Sequence, residues 1–279
     1  MTSYAEAVEA LRTNPANAEL VAQCYLDQDV TKAAERFFSS EEFGAVRHLL
    51  SLEQSALDVL DLGCGNGIAA YAIARLGHLV SAVDPDESEN YGLGAVRRLS
   101  IGVTPGKITP FRAHAESLPF PDLYFDRVYV RQALHHFSEL DLGLTETARV
   151  IKRGGLFLAA REHVAESEAE KQIFLAGHPL HALHGGENAY ALGKYQAALR
   201  EAGFQVLNVL APFDSVINHF PVSNQELRHW LRKGAERRLG IRLGSFVSAL
   251  APVERLYRRR LSRTCRTPGR MYSFLCLKR

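Results

Sequence analysis

The chain has 279 residues, of which 47% are apolar and 23% are charged, and its formal net charge is +2 at pH 7. This composition excludes a disordered or fibrous chain, and the apolar runs are too short to predict a membrane-spanning helix. The four cysteines include no C-x-x-C pair, which argues against a disulfide framework or a cysteine zinc site. Residues 1–6 have neither a basic head nor an apolar core, so we expect no secretory signal and a cytoplasmic location.

Hydrophobic periodicity divides the chain into helices and strands. Apolar residues recur at helical spacing within residues 4–50, which predicts a helical N-terminal cap over residues 1–54. From residue 57 onward, strands alternate with helices. The predicted strands are residues 57–62, 79–83, 108–111, 126–130, 156–160 and 204–210, and the predicted helices are residues 67–76, 140–151 (ended by the glycine pair 154–155) and 190–202. This alternation predicts a parallel sheet with helices on both faces.

The C-terminal part is strongly basic. Residues 225–279 hold 15 Lys and Arg against three acids, a net charge of +12. We expect residues 212–267 to form a basic helical insertion that acts as a lid, with its apolar side on the core. Its cationic side, which includes Arg258, Arg259 and Arg260, is expected to meet an anionic acceptor or, more weakly, a membrane surface; the alternative is a solvated face. Residues 271–277 are predicted to form a last strand.

The stretch VLDLGCGNG, residues 59–67, leaves a predicted strand through three glycines. A glycine turn between a strand and a helix lets a ligand lie against backbone N–H groups at the helix end. The spacing of Gly63, Gly65 and Gly67 is G-x-G-x-G rather than G-x-G-x-x-G, which disfavours a nicotinamide enzyme. Asp84 ends the next predicted strand and is well placed for ribose hydroxyls. The sequence therefore predicts a nucleotide-like cofactor at this sheet edge.

Residues 57–161 resemble a class I S-adenosylmethionine (SAM)-dependent methyltransferase of the methyltransferase 11 type. The resemblance lies in four ordered motifs, VLDLGCGNG, VSAVDPD, AHAESLPFPDLYFDRVYVRQALHHF and ARVIKRGGLFLAA. It implies an α/β fold with a Rossmann-like seven-stranded, mostly parallel sheet and an antiparallel last strand. To this fold the sequence adds the N-terminal cap and helical insertions, and the SAM-binding domain would comprise residues 55–211 and 268–279.

The resemblance also assigns cofactor-binding roles. Asp61 and the turn from Gly63 to Gly67 would hold the methionine end of SAM, and Asp84 would bind the ribose hydroxyls. The residues of the motifs that would contact SAM are Asp61, Gly63, Cys64, Gly65, Gly67, Asp84, Pro85, His114, Ala115 and Glu116. Pro85, Ala115 and Glu116 would flank the adenine. His114 stands where the family usually has an aspartate, so an imidazole nitrogen or a backbone group would replace that adenine contact.

The candidate catalytic residues follow the fourth and fifth predicted strands. A hydroxyl acceptor needs a general base, and His135 or His136 are the first candidates, with Glu162 and His163 behind them. Arg131 stays protonated and is interpreted as an anchor for an anionic group of the substrate. The competing interpretation of the two adjacent histidines is that they pack or contact SAM.

The stretch HPLHALHGGE raises the question of a metal. His178, His181 and His184 are three residues apart, with Glu187 following. On a helix this spacing drifts around the axis, so three ligands for one ion would need an irregular backbone. We expect no metal and a loop that lies over the acceptor pocket.

These observations favour a SAM-dependent methyltransferase that acts on an oxygen or nitrogen of a small molecule. The acceptor would be a sugar, a lipid-linked intermediate or another secondary metabolite, with an anionic group as one option. A nucleic-acid methyltransferase is the first alternative, although no N/D-P-P-Y motif follows the fourth strand. A non-catalytic SAM-binding protein is the second. The sequence leaves the acceptor and the oligomeric state open.

Overall fold

A seven-stranded sheet forms the centre of the protein. The structure is a computed structural model and describes residues 3–53 and 56–279. The strands are β1 (Asp58–Leu62), β2 (Leu79–Asp84), β3 (Lys107–Arg112), β4 (Phe125–Arg131), β5 (Ile151–Val164), β6 (Phe204–Leu210) and β7 (Arg270–Lys278). Their order is β3-β2-β1-β4-β5-β7-β6, and β7 runs antiparallel to both of its neighbours. The predicted Rossmann-like sheet with an antiparallel last strand is confirmed.

Helices cover both faces of this sheet. They are α1 (Tyr4–Thr13), α2 (Ala18–Gln23), α3 (Val30–Phe38), α4 (Glu41–Leu49), α5 (Ile68–Ala74), α6 (Leu93–Ser100), α7 (Leu140–Val150), α8 (Glu168–Gly177), α9 (Pro179–Leu183), α10 (Leu192–Glu201), α11 (Val216–His219), α12 (Asn224–Leu239), α13 (Ile241–Ser248) and α14 (Ala251–Thr264). Among the residues that the structure describes, none of the helices combines the length and apolarity needed to cross a bilayer.

The core lies on the two faces of β1 and its neighbours. Val59 packs with α3 and α5 on one face, whereas Leu60 packs with α7 and α10 on the other. Successive side chains of a strand point to opposite faces, so a strand covered on both sides is apolar at consecutive positions. This explains the run of apolar residues before the glycine turn and fixes the turn at the carboxyl edge of the sheet.

The predicted boundary between helix α7 and strand β5 is wrong. Helix α7 ends at Val150, and β5 begins at Ile151 and passes through the glycine pair at 154 and 155. Ile151 pairs with Phe125, but the next pair is Leu156 with Arg127, so extra residues of β5 loop out in a bulge. The glycines therefore serve the bulge within β5 and do not end the helix.

The stretch 161–189, in which the sequence shows no clear period, contains regular structure. Strand β5 continues to Val164, and α8 and α9 follow it. Helix α8 buries little beyond Phe174, so it has no broad apolar stripe to reveal it in the sequence. Helix α6 also lacks a sequence prediction.

The C-terminal basic region within residues 212–267 is helical, as predicted, and consists mainly of α12, α13 and α14. It does not lie where a lid was expected. Among the described residues, those that line the large cavity at the sheet edge include none from 212–267. Side chains of the N-terminal helices and of the segment around α9 cover that cavity instead. The division of the chain at residues 54, 211 and 267 stays a prediction.

Candidate active site

A cavity of about 690 Å³ lies at the carboxyl ends of β1, β2, β4 and β5. Its cover comes from the N-terminal region, through Leu20, Cys24 and Leu26, and from the segment after β5, through Leu180 and Glu187. The predicted site residues that line it are Asp61, Gly63, Cys64, Gly65, Asp84, Pro85, His114, Ala115, Glu116, Arg131, His135 and His136. Gly67 is the exception.

The three glycines of the turn do different things. A Cβ on Gly63 would lie 2.5 Å from Ala133 Cβ, and one on Gly67 would lie 2.9 Å from Val96 Cγ2, so these two allow close packing. Gly65 has φ +50° and no atom nearer to its Cβ position than Tyr91 O, at 3.9 Å. A side chain there would enter the cavity. Gly65 is therefore the glycine that keeps room for a ligand against the backbone.

Asp84 shapes this turn. Gly65 N–H donates to Asp84 Oδ2 at 2.8 Å, and Asp86 N–H donates to Asp84 Oδ1 at 2.9 Å. Burial raises the pKa of the Asp84 carboxyl above its usual range, while these two backbone bonds oppose the shift. Each carboxylate oxygen can accept a second hydrogen bond, so the pair of oxygens remains able to bind the hydroxyls of a ribose.

Asp61 contains a buried atom that needs a partner. Its side chain is 1% exposed, and Oδ2 makes no hydrogen bond within the described residues. Burial raises the pKa of Asp61 to about 7, although a backbone bond from Ala70 opposes the shift. An unpaired buried carboxylate is costly, and the α-amino group of a bound amino acid would satisfy it. The residues around Asp61 and Gly65 therefore fit the methionine end of SAM.

The predicted adenine side of the cavity lies next to Asp84. His114 and Pro85 are exposed there, and Ala115 is buried. Glu116 is occupied, since its Oε1 accepts from Glu139 N–H at 3.1 Å. His114 is near enough to Asp84 to favour the ionised form of that carboxyl. All four residues line the same cavity as Asp84, and their role toward an adenine stays a prediction.

Arg131 lines the cavity but is already paired. Its Nε donates to Glu42 Oε1 at 2.8 Å, and both side chains are buried. Burial opposes the charge of the guanidinium, yet Glu42 outweighs it and raises the pKa of Arg131. Rings of Tyr25 and Phe37 cover the guanidinium at 5.3 and 5.6 Å. An anionic group of a substrate would have to compete with Glu42 for Arg131, and the anchoring role of Arg131 stays a prediction.

Glu162 fixes His135 in place. Its carboxylate accepts from the backbone N–H groups of Ala133, Leu134 and His135 at 3.2–3.3 Å, which holds the 3₁₀ turn Leu134–His136. It also accepts from His135 Nδ1 at 2.7 Å, with both side chains buried. Burial disfavours charge on His135, but Glu162 outweighs it and raises the pKa of His135 to about 9.

A bulge in β5 directs two neighbouring side chains into this region. The register with β7 shifts between Ala159 and Glu162, and Arg161 adopts φ +62°. Bulges next to functional sites re-aim side chains that would otherwise alternate between faces. As a result Glu162 reaches the turn, while the ring of His163 lies 4.9 Å from that of His135. His163 Nδ1 donates to Gly269 O at 2.8 Å, and burial lowers the pKa of His163 to about 3.

Glu187 lies in the middle of the histidines. Its Oε2 is 3.6 Å from His135 Nε2 and 3.7 Å from His136 Nε2, and its Oε1 is 3.8 Å from His178 Nδ1. Burial opposes its ionisation, but His135 and the other imidazoles outweigh it and lower the pKa of Glu187 to about 2. Among the described residues, the group of donor atoms close enough for one ion is that of His135, His163 and Glu187, which differs from the sequence pattern of His178, His181 and His184.

His136 is the most accessible imidazole of the group. Its side chain is 42% exposed, and Nδ1 faces Gly186 O at 3.0 Å. A carbonyl oxygen can only accept, so Nδ1 carries the ring proton and Nε2 has a free lone pair. Burial, reinforced by the charge of His135, lowers the pKa of His136 to about 4. His136 therefore presents a neutral, unprotonated Nε2 at neutral pH.

Sequence reasoning missed two acids of the site. Glu42 lies on α4 and reaches Arg131 from 89 positions away, and no local pattern marks it. Glu187 was noted only as a neighbour of the three histidines. Its burial beside His135 depends on the fold of the segment after β5.

The sheet order, the glycine turn and the two acids at its edge define a class I SAM-dependent methyltransferase domain, for which SAM is the cofactor. Residues 60–159 match the family model described as a methyltransferase domain. The chain therefore carries a domain of this family.

Curated relatives are named as methyltransferases, and solved structures share the fold. A ubiquinone biosynthesis O-methyltransferase of Rhizobium etli is 32% identical over 135 residues, which are 48% of this chain and 52% of that relative. The chain thus aligns with about half the length of the curated relatives it matches first. A SAM-dependent methyltransferase structure from Mesorhizobium loti has a TM-score of 0.56 at 20% identity, over 86% of this chain and 99% of that one.

A structure with a different named reaction shares the same fold. Geranyl diphosphate C-methyltransferase from Streptomyces coelicolor A3(2) has a TM-score of 0.54 at 15% identity, over 85% of this chain and 79% of that one. Since one similar protein is named for oxygen and the other for carbon, the fold alone does not define the acceptor atom.

Proposed function

We propose that this protein transfers a methyl group from SAM to an oxygen atom of a small-molecule acceptor. One observation carries the proposal. The turn and acids suited to SAM, and the accessible imidazole of His136, line the same covered cavity of about 690 Å³. A cavity that is covered by residues of the N-terminal region and of the segment around α9 suits a small acceptor better than a macromolecule.

The cofactor side of the proposal uses Asp61, Gly65 and Asp84. Asp61 Oδ2 would accept from the α-amino group of SAM, and Asp84 would accept from the ribose hydroxyls. Gly65 would leave space for the ligand against the backbone. When bound, SAM supplies an activated methyl group on a sulfonium, whose carbon–sulfur electron pair stays with sulfur. The protein then mainly has to align the acceptor and exclude water.

The acceptor side of the proposal uses His136 as general base. Its free Nε2 would take the proton of an acceptor hydroxyl, and its Nδ1 bond to Gly186 O would hold the ring in position. His135 is a poorer base, because the Glu162 carboxylate keeps it protonated near neutral pH. We assign His135 to positioning.

Oxygen is favoured over nitrogen for two reasons. A hydroxyl needs a base, and the structure supplies one beside a buried carboxylate; a neutral amine would not need it. The R. etli relative is also named an O-methyltransferase. An anionic group on the acceptor is not favoured at Arg131, which Glu42 already neutralises. Sugars, lipid-linked intermediates and other secondary metabolites with a free hydroxyl remain the candidate acceptors.

The test is a screen of hydroxyl-bearing metabolites with SAM, in which release of S-adenosylhomocysteine is measured. With an acceptor in hand, His136→Gln should lower kcat by about 100-fold or more and leave the Kd for SAM unchanged. His114→Gln is the matched control at the predicted adenine side, and it should weaken SAM binding while kcat stays within about twofold. Equal effects of the two substitutions on SAM binding would contradict the role of His136.

A further inference from the structure

More histidines surround Glu187 than one general base requires. One donor atom each from His135, His163 and Glu187 lies within 4.8 Å of the other two, inside the cavity. We propose that these three residues bind one divalent first-row transition ion. Imidazole nitrogen and carboxylate oxygen together suit zinc and its neighbours rather than magnesium or calcium.

One of the three ligand separations is close to that of a formed site, and all three are within 4.8 Å. Zinc holds nitrogen and oxygen ligands at about 2.0–2.2 Å, so tetrahedral ligand atoms lie roughly 3.4 Å apart. His135 Nε2 and Glu187 Oε2 are 3.6 Å apart, too far for a hydrogen bond and close to the separation across an ion. Small rotations of the His163 and Glu187 side chains would complete the set.

The outer ring nitrogens are anchored as metal-binding histidines require. His135 Nδ1 donates to Glu162 at 2.7 Å, and His163 Nδ1 donates to Gly269 O at 2.8 Å. In metal sites, a ligating histidine donates its other N–H to a carboxylate or a backbone carbonyl, which fixes the tautomer and aims the free nitrogen at the ion. Both histidines thus hold Nδ1 outward and leave Nε2 as the ligand atom.

An independent observation comes from His178. Its Nδ1 is buried and has no hydrogen-bond partner among the described residues, and it lies 3.8 Å from Glu187 Oε1. The Glu187 carboxylate is therefore surrounded by the unpartnered Nδ1 of His178 and by the imidazoles of His136 and His163. Without an ion, the imidazolium of His135 lies beside this carboxylate, and a bound divalent ion would take the place of its Nε2 proton.

The use of the ion rests on the proposed function. An open coordination position would face the cavity and take the oxygen of the acceptor hydroxyl, and the hydroxyl proton would pass to His136 Nε2. A bound divalent ion favours the deprotonated oxygen. The acceptor class that this arrangement recognises is a small molecule with an ionisable hydroxyl, such as a phenol or an enol, for which a nearby second oxygen can serve as a further ligand.

The experiment uses the full-length protein, stripped with a chelator, and zinc alone as the probe. Calorimetry should show one zinc per chain, and Co²⁺ should give the visible absorption bands of a low-coordinate nitrogen–oxygen site. Glu187→Gln and His163→Gln should each weaken zinc binding more than about 100-fold. Glu162→Gln, which weakens the outer hydrogen bond to His135 Nδ1 and the backbone bonds of the Leu134–His136 turn but removes no ligand, should cost roughly 10–100-fold.

His229→Gln is the matched control, because it removes an exposed imidazole of α12. Zinc binding that is absent from the stripped parent, or equal in the parent and in folded Glu187→Gln, would overturn the site. Circular dichroism checks that each variant folds, and the cobalt spectrum of the parent does not depend on any variant. If the stripped protein binds no zinc but still consumes SAM with an acceptor, the metal inference fails and the methyltransferase stands. If it never binds SAM, the proposed function fails instead.

Discussion

Charged side chains differ in solvent exposure between the cavity and the C-terminal helical segment (α12, α13 and α14). In the cavity, several charged groups are buried in close pairs, as in Arg131 with Glu42 and His135 with Glu162. In the C-terminal helical segment, basic side chains are mostly exposed beside large exposed apolar ones. Ile241, Phe246 and Leu256 are 76%, 66% and 69% exposed.

The difference follows from desolvation. A buried charge must find an opposite charge or a full set of hydrogen bonds, so each buried pair constrains the fold around it. An exposed charge is solvated and screened, so the ion pairs that it forms contribute little to stability. A substitution in the cavity should therefore change binding or stability strongly, and most substitutions in the C-terminal segment should not.

The largest expected effect is at Gly65. Gly65→Val should abolish measurable SAM binding, because the side chain would enter the cavity at φ +50°. Strain at this φ would cost about 1–3 kcal/mol of stability, which the fold should survive. Gly234→Val in α12 is the control, since its Cβ would meet no atom within 4 Å and lies away from the cavity lining. Calorimetry with SAM should show normal binding for the control; normal binding by a folded Gly65→Val would remove the turn from the cofactor site.

The next effect concerns pH. Because burial raises the pKa of Asp61 to about 7, the folded protein holds this proton more tightly than the unfolded chain between about pH 4 and pH 7. Without SAM, the contribution of Asp61 to stability therefore falls as pH rises through this window, by up to roughly 4 kcal/mol. Asp61→Asn should melt higher than the parent at pH 8 and similarly at pH 4.

Asp126→Asn provides a control of opposite sign. Burial opposes its ionisation, but Lys152 outweighs it and lowers the pKa of Asp126. Its stabilising contribution is present above the unfolded pKa and is lost as pH falls, so Asp126→Asn should melt lower than the parent at pH 8. Thermal unfolding at the two pH values measures both variants. A pH-independent difference for Asp61→Asn would show that Asp61 ionises freely.

The smallest effects lie in α14, where one arginine departs from the pattern. Arg258 donates to Glu254 and Asn224 at 2.8 Å and contacts His219 at 3.1 Å. The expectation that Arg258 shares an exposed cationic side with Arg259 and Arg260 is therefore wrong. Arg258→Ala should destabilise by about 1–3 kcal/mol, whereas the double reversal Arg259→Glu, Arg260→Glu should leave the free energy of unfolding within about 0.5 kcal/mol.

The double reversal also tests the membrane contact predicted from the charge of this segment. Polybasic faces add about 1 kcal/mol per charge at an anionic surface, so cosedimentation with anionic vesicles should fall if these two arginines lie at it. Unchanged sedimentation would leave them as a solvated face. Chemical denaturation of the Arg258→Ala variant and of the double-reversal variant measures their free energies of unfolding against that of the parent.

Local features of the chain predicted much of the cavity lining. Gly65 follows one buried strand of the parallel sheet and Asp84 ends the next, so the pattern of these strands already places them at its carboxyl edge. Both residues line the cavity, as expected. The antiparallel β7 was also predicted. The helix α8 was not, because its buried side is too small to leave a period in the sequence.

The sequence by itself determined the class of fold and the place of the glycine turn at the cavity, because the strand period, the glycines and the acids lie within one short stretch of the chain. Only the tertiary structure decided which side chains meet on the proposed acceptor side. His135, His163 and Glu187 come from the ends of two strands and from the segment around α9, and Glu42 comes from the N-terminal helices. Their pairing depends on burial, and burial is a property of the packed chain. A bulge at Arg161 and the fold of the residues after β5 bring them within a few ångströms of one another.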